Sequence, residues 1–373
     1  MKSDTLKRVF LRKRTLILIL PVLGLILMGI AKKSSYFTEM IFARHIFKLL
    51  SQAIALITGI FPFSVAEVMI ILCPFLVIAL IIGFIVKLVK NRHDWMLWVL
   101  TFILNAACMA GVVYFFYAFG CGANYYRYQV ADIVGLKITE STKEELYGLT
   151  IELADKATEL RDQITTEDEE GAYVLPYSDR QLAKEAKKAF KALGKKNSVF
   201  AGLYPAPKSV MLSKMMSKTE ITGIYTCWTM EANVDVDIPD YSIGSTMCHE
   251  LSHLRGFIRE DEANYISYLA CLEGDVDLQY SGVMLALIYT GNALAGKDSD
   301  LYADAWYNHY SPEVRVDLIK GSEYWKQFEN TKVSEVTEQL NDTYLKANDQ
   351  EDGTESYGRV VDLLLAEYKQ RNN

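Results

Sequence analysis

The segment HELSHLRGFIREDEAN, from His249 to Asn264, gathers two of the five histidines in the 373-residue chain and four acidic residues. His249 and His253 are four residues apart, so on a helix they lie one turn apart on the same face, and their imidazole nitrogens can reach one tetrahedral ion. Glu250 is rotated about a quarter turn from that face, where its carboxylate can hold a water rather than the metal. This is the pattern hydrolysis requires. Zinc lowers the pKa of a water towards about 7, and a neighbouring carboxylate takes its proton and passes it to the leaving amine. Two plainer readings compete. In one the histidines are satisfied core residues and Glu250 is surface charge, which leaves their joint spacing unexplained. In the other the zinc is structural, and a glutamate next to the first ligand then has no purpose.

These residues need a helix over TMCHELSHLRG, with Ser242 or Ser245 as candidate caps and Gly256 as its stop. Upstream, ITGIYTCWTMEANVDVDIPDY carries the clearest strand pattern. Val234, Val236 and Ile238 alternate with Asn233, Asp235 and Asp237, which predicts one core face and one acidic, wet face on an edge strand that could border a cleft. Amphipathic helices are predicted within 142–164 and 179–196, the second with Asp179 as cap and Gly194 as stop. Further helices follow in ANYISYLACLEG, SGVMLALIYTGNALAG, DSDLYADAWYNHY and the tail. The expected fold is α+β, mostly helical with a small sheet. No glycine-rich phosphate loop is present, and no nucleic-acid partner is expected. Cys227, Cys248 and Cys271 have no CxxC spacing and read mainly as small core residues.

The two parts of the chain differ in kind. Residues 1–120 carry thirteen Lys/Arg and four Asp/Glu, a net +9, so with −7 overall residues 121–373 carry −16. The basic part contains three apolar runs, 15–31, 65–86 and 95–119, each long enough for a helix to cross a bilayer. A cleaved signal peptide would account for the first run but not for the other two. Between the first two runs, IFARHIFKLLSQAIALITGIFPFS is broken by Ser51 and Gln52 and reads as a helix lying in the membrane interface. Residues 1–120 are therefore expected to form a membrane region of three transmembrane helices and one interfacial helix. Lys2, Lys7, Arg8, Arg12, Lys13 and Arg14 precede the first run, and Lys87, Lys90 and Arg92 follow the second. Both groups should stay cytoplasmic, so the multi-pass chain places residues 121–373 outside the cytoplasmic membrane.

HELSHLRG resembles the HExxH helix of zincin metallopeptidases. EDEAN (Glu260 to Asn264) resembles the Glu-x-x-(Ala/Ser)-Asp element of the glutamate-ligated zincins, the gluzincins, with Asn264 where Asp is usual. Over nearly its full length the chain is also similar to an uncharacterised family of bacterial membrane proteins. That likeness rests on a PFS segment (Pro62 to Ser64), EAN (Glu231 to Asn233), HELxHxRG, EDEAN and a late SYG (Ser356 to Gly358). The gluzincin resemblance implies a zincin-like fold and places Glu260 as third zinc ligand, with Glu262 and Asp261 as competitors. Asn264 would then hold a ligand histidine through its other ring nitrogen. Because gluzincins use a late Tyr or His opposite the general base, the resemblance also points to His309, with Tyr310 and Tyr357 as alternatives.

The function expected is a membrane-anchored zinc metallopeptidase. It hydrolyses peptide bonds through a zinc-activated water, with His249, His253 and Glu260 on the metal and Glu250 as general base. Its partners are a peptide or protein substrate and the lipid bilayer. The alternative is a non-catalytic membrane scaffold or peptide-binding protein that keeps a zinc site. A transporter is a distant third, because Glu67 is the only plausible embedded charge and lies near the end of its span.

Overall fold

The computed structural model describes residues 13–350 and 353–372, so the basic residues Lys2, Lys7, Arg8 and Arg12 lie outside the described part. Four helices in it are long and apolar enough to cross a membrane: Thr15–Lys33, Phe37–Thr58, Val65–Lys90 and Arg92–Tyr126. Their regular α-helical parts are α1 (Ile19–Lys33), α3 (Val65–Lys90) and α4 (Trp95–Gly120). The element α2 (Phe37–Thr58) is π-wound over its first half and α-helical after that. Small residues let α1 and α4 pack closely. Gly24 lies against Tyr114 and Ala118, and a Cβ at Gly111 would come within 2.9 Å of the Pro21 ring. The apolar side chains of α3 are almost all exposed, as a lipid-facing helix requires.

The sequence reading judged α2 too short to cross, whereas its continuous helix meets the length and composition of a span. Its polar groups nevertheless bond to the domain from end to end. Near its start, buried Glu39 accepts from Arg44 (2.8 Å) and from Arg127 (2.8 and 3.2 Å). Further along, the hydroxyls of Ser51 and Tyr204 are 3.1 Å apart and Gln52 accepts from the Leu203 amide. At its end Thr58 donates to the Thr229 carbonyl at 3.0 Å. Arg127 is itself buried over the Phe257 ring, 4.1 Å from its centroid. Glu39→Gln would leave this guanidinium without its counter-charge in a dry site. A loss of about 3–5 kcal/mol is expected, read as a lowered unfolding temperature of the detergent-solubilised chain.

The domain is mostly helical: α5 (Lys143–Arg161), α6 (Asp179–Lys196), a three-stranded sheet, then α7 (Asp240–Leu254), α8 (Glu260–Cys271) and α9 (Val276–Lys297). It ends in α10 (Ser299–Asn308), α11 (Pro312–Lys326), α12 (Lys332–Ala347) and α13 (Val360–Asn372). A capping box at Thr142 and Glu145 starts α5. The cap of α6 is Ser178 rather than Asp179, and the helix continues past Gly194 to Lys196. The core lies between α5, α6, α7, α8 and α9 and includes Leu149, Phe190, Met247, Leu251, Ile266 and Tyr280.

In the sheet, β1 (Lys208–Ser209) runs parallel to β3 (Glu231–Val234), and β2 (Gly223–Thr226) runs antiparallel on its other side. Of the segment read as a wet edge strand only Asn233 and Val234 lie in a strand, and that strand, β3, is central; residues 235–238 leave the sheet in a bend, and β2 is an edge. Asn233 and Asp235 are buried: Asn233 donates to the Ile224 carbonyl at 3.2 Å, and Asp235 accepts from Ser217 at 2.6 Å and from the Asp237 amide at 2.8 Å. Alternation along one strand shows where side chains point but not what covers them. Glu231 accepts from the Val65 and Ala66 amides at 3.1 and 2.8 Å, and Ser64 caps α3 through the Glu67 amide. EAN and PFS thus meet where the long apolar helix α3 joins the sheet. Glu67 accepts from the Met211 and Leu212 amides, so its charge secures the same junction.

Candidate metal centre

α7 begins at Asp240, earlier than either serine offered as cap, and ends at Leu254. Gly256 then adopts φ +83°, a conformation that strains any residue with a Cβ, and the chain turns back so that α8 starts at Glu260. The reversal brings the first turn of α8 against the last turn of α7. Glu260 Oε2 lies 3.1 Å from His249 Nε2 and 3.3 Å from His253 Nε2. The two rings are nearly perpendicular, with centroids 4.6 Å apart. Ligand bonds of about 2.0–2.1 Å at tetrahedral angles put neighbouring donors about 3.3 Å apart, so the two distances from Glu260 match the spacing of neighbouring ligands in a zinc site.

The outer ring nitrogens are occupied. His253 Nδ1 is 2.7 Å from the Phe257 carbonyl, and His249 Nδ1 is 2.7 Å from Asn264 Oδ1. Asn264 Nδ2 donates to the Tyr289 hydroxyl at 3.2 Å, which orients the amide with its oxygen towards the histidine. Both rings therefore present Nε2 inward, as ligand histidines do when their second nitrogen is bonded. Burial alone would raise the Glu260 carboxyl. The charge of His253 and hydrogen bonds from both imidazoles outweigh it and hold the group down to about 2. Burial alone would lower His253, but Glu260 raises it to about 9.

Glu250 also has a donor atom within the 4.8 Å that spans it, His249 and His253. It differs from Glu260 in its surroundings. Glu250 is buried, its Oε2 has no hydrogen-bond partner, and burial pushes its carboxyl up to about 7 against the lowering effect of the two histidines. Its other oxygen rests on β2 at Gly223, where a Cβ would overlap the carboxylate. A buried carboxylate oxygen without a partner points to a missing ligand such as water. The other acids near Glu260 point elsewhere. Glu262 accepts from the Val130 amide and from Arg259, both at 2.9 Å, and Asp261 lines a separate polar pocket with Arg359 and Asp362.

The site opens into a cleft of about 840 Å³. β2 contributes Gly223, Ile224 and Tyr225 to its wall, α9 contributes Leu285, Ile288 and Tyr289, and Asn341, Tyr344 and Tyr357 come from the carboxyl-terminal part. Tyr357 is near enough for the charges of Glu250 and Glu260 to act on its hydroxyl. His309 is not in the cleft, which corrects the sequence reading. It caps the end of α10 with its ring against Tyr147 (centroids 6.4 Å apart), and neighbouring Tyr310 packs on Trp306 and faces Gly291. Sequence reasoning missed Gly223, Tyr225 and Tyr289. An isolated glycine in a strand marks close backbone approach, but nothing local singles out the two tyrosines.

No curated protein and no solved structure matches this chain. The family described as a protein of unknown function, DUF3810, matches residues 42–365, from within α2 to within α13. The match takes in α3 and α4 together with every residue of the centre described above, and the chain belongs to the DUF3810 family.

Proposed function

We propose that this protein is a membrane-anchored zinc metallopeptidase with a gluzincin-like site, in which His249, His253 and Glu260 hold the metal and Glu250 is the general base. The observation that carries the reading is the division of labour among buried groups. Glu260 Oε2 lies 3.1 and 3.3 Å from the two inward-facing imidazole nitrogens, and a separate carboxylate oxygen, on Glu250, is buried and unpartnered beside the histidines. A zinc ion bound there would supply Lewis-acid activation of water and of the scissile carbonyl. Glu250, with a buried, unpartnered carboxylate oxygen beside the histidines, is placed to take a proton from a water and deliver it to the leaving nitrogen. Asn264 and the Phe257 carbonyl keep the histidines in one tautomer and orientation. The edge of β2, running past Glu250, leaves backbone groups for an extended peptide to pair with.

Tyr357 takes the role that His309 cannot reach, as donor to the oxygen that gains charge in the transition state. Tyr357→Phe should lower kcat by about 10²–10³-fold with zinc retained, while His309→Ala keeps wild-type turnover and metal content. Both can be measured on the purified full-length chain against a mixed peptide library. A wild type that carries zinc and cleaves nothing would leave the scaffold reading in its place.

For topology, α1, α3 and α4 are read as spans and α2 as an interfacial helix. Gly122 packs on Met28 of α1, the start of α3 bonds Glu231, and Gly120 lies against Cys227, so each span has one end at the domain. α2 has both ends there. Lys13, Arg14, Lys87, Lys90 and Arg92 lie at the opposite ends of the spans, which places that side in the cytoplasm and the domain outside. A reporter fused after Gly120 should be active only in its exported form. Activity only in its cytoplasmic form would make α2 a fourth span.

A further inference from the structure

We infer that the cleft acts on polypeptides anchored in the same bilayer, taking the juxtamembrane segment that leaves the lipid beside α4. This rests on the peptidase reading and adds a substrate class to it. The first support is the closeness of the site to a membrane helix. Tyr117 and Cys121, from the end of α4, line the cleft together with His253 and Glu260. The Tyr225 hydroxyl donates to the Gly120 carbonyl at 3.3 Å, and the Tyr225 ring lies 6.4 Å from the His253 ring between centroids. One tyrosine side chain therefore separates the end of the helix from a metal-site histidine. The headgroup layer is about 5–8 Å thick on each side of the hydrocarbon, so a site this close to the end of a span opens at that level.

The second support comes from the rims. The Trp228 indole, in the turn between β2 and β3, donates to the Val113 carbonyl, about one helical turn below Tyr117. Trp228 and Ile224 are each 46% exposed, and tryptophan is the residue type that settles at membrane interfaces. On α12, Val333, Val336, Leu340 and Tyr344 form a stripe on one face and are 40–65% exposed. Tyr344 lines the cleft, and Tyr117 hydrogen-bonds Asn348 just past α12, so this stripe also starts beside α4. Exposed Ile224 and Trp228 on one wall of the cleft, and an exposed apolar stripe that runs from Tyr344 on another, in a domain of net −16, fit an apolar chain better than a soluble, polar one.

The test places the full-length chain in lipid nanodiscs with three substrates carrying one randomised segment. In the first the segment directly follows a transmembrane helix of about 20 leucines. In the second a rigid helical Glu-Ala-Ala-Ala-Lys spacer of about 30 residues lifts it about 45 Å from the lipid. The third is the free peptide pool. Tethering concentrates the first two equally at the membrane, so they differ only in height. The expected result is cleavage of the membrane-proximal form at least about 10-fold faster than the raised form, and no cleavage by Glu250→Gln. Equal rates for the proximal and raised forms, or preference for the free pool, would overturn the juxtamembrane assignment and leave the peptidase reading standing. No Glu250-dependent cleavage of any of the three would overturn both.

Discussion

Glu250→Gln should abolish peptide cleavage while leaving the zinc content of the full-length protein unchanged. The substitution keeps the size of the side chain and removes its ability to accept a proton, a contribution worth about 10²–10⁴-fold in rate. Metal should be retained because the three closest donors, His249, His253 and Glu260, are unaltered and their supporting bonds to Asn264 and Phe257 do not involve residue 250. The fold should also tolerate the change, since Glu250 Oε2 makes no hydrogen bond that folding depends on. The measurement is metal content by mass spectrometry beside turnover on a peptide library. Metal loss in this variant would make Glu250 a ligand, and undiminished turnover would remove it from the chemistry.

Two substitutions two residues apart should have opposite effects. Glu260→Gln removes the only carboxylate within hydrogen-bond distance of both Nε2 atoms among the described residues, and zinc affinity should fall by at least about 100-fold. Glu262→Gln should keep the metal but destabilise the chain by about 1–3 kcal/mol, because its carboxylate anchors the Val130 amide and Arg259 in a buried site. Zinc stoichiometry and thermal unfolding of the two variants separate these roles. Metal loss confined to Glu262→Gln would reverse them.

Much of this was legible in the order of residues. The His249–His253 spacing needs only a helix to bring two imidazoles to one face, and helical geometry is local. Gly256 read as the stop of one helix and ANYISYLACLEG as the next, and the structure has both. The apolar runs marked their helices because their length and composition exceed what a soluble helix needs. The boundaries of α6 and α7 were less legible, since competing caps differ by little in free energy and packing decides among them.

What the sequence by itself determined is therefore what depends on short-range periodicity: the helix that carries HELSH, the turn after it, the apolar helices and the mostly helical character with a small sheet. The tertiary structure decided everything that depends on contacts between distant segments. It put His309 against Tyr147, outside the cleft lining, and Tyr357 into the cleft, although both are histidine or tyrosine residues late in the chain. It made β3 central and β2 an edge, because register within a strand carries no information about its neighbours. It bound α2 to the domain through Glu39, Ser51, Gln52 and Thr58, whose partners lie 88 to 171 residues away in sequence, where no local pattern can register them.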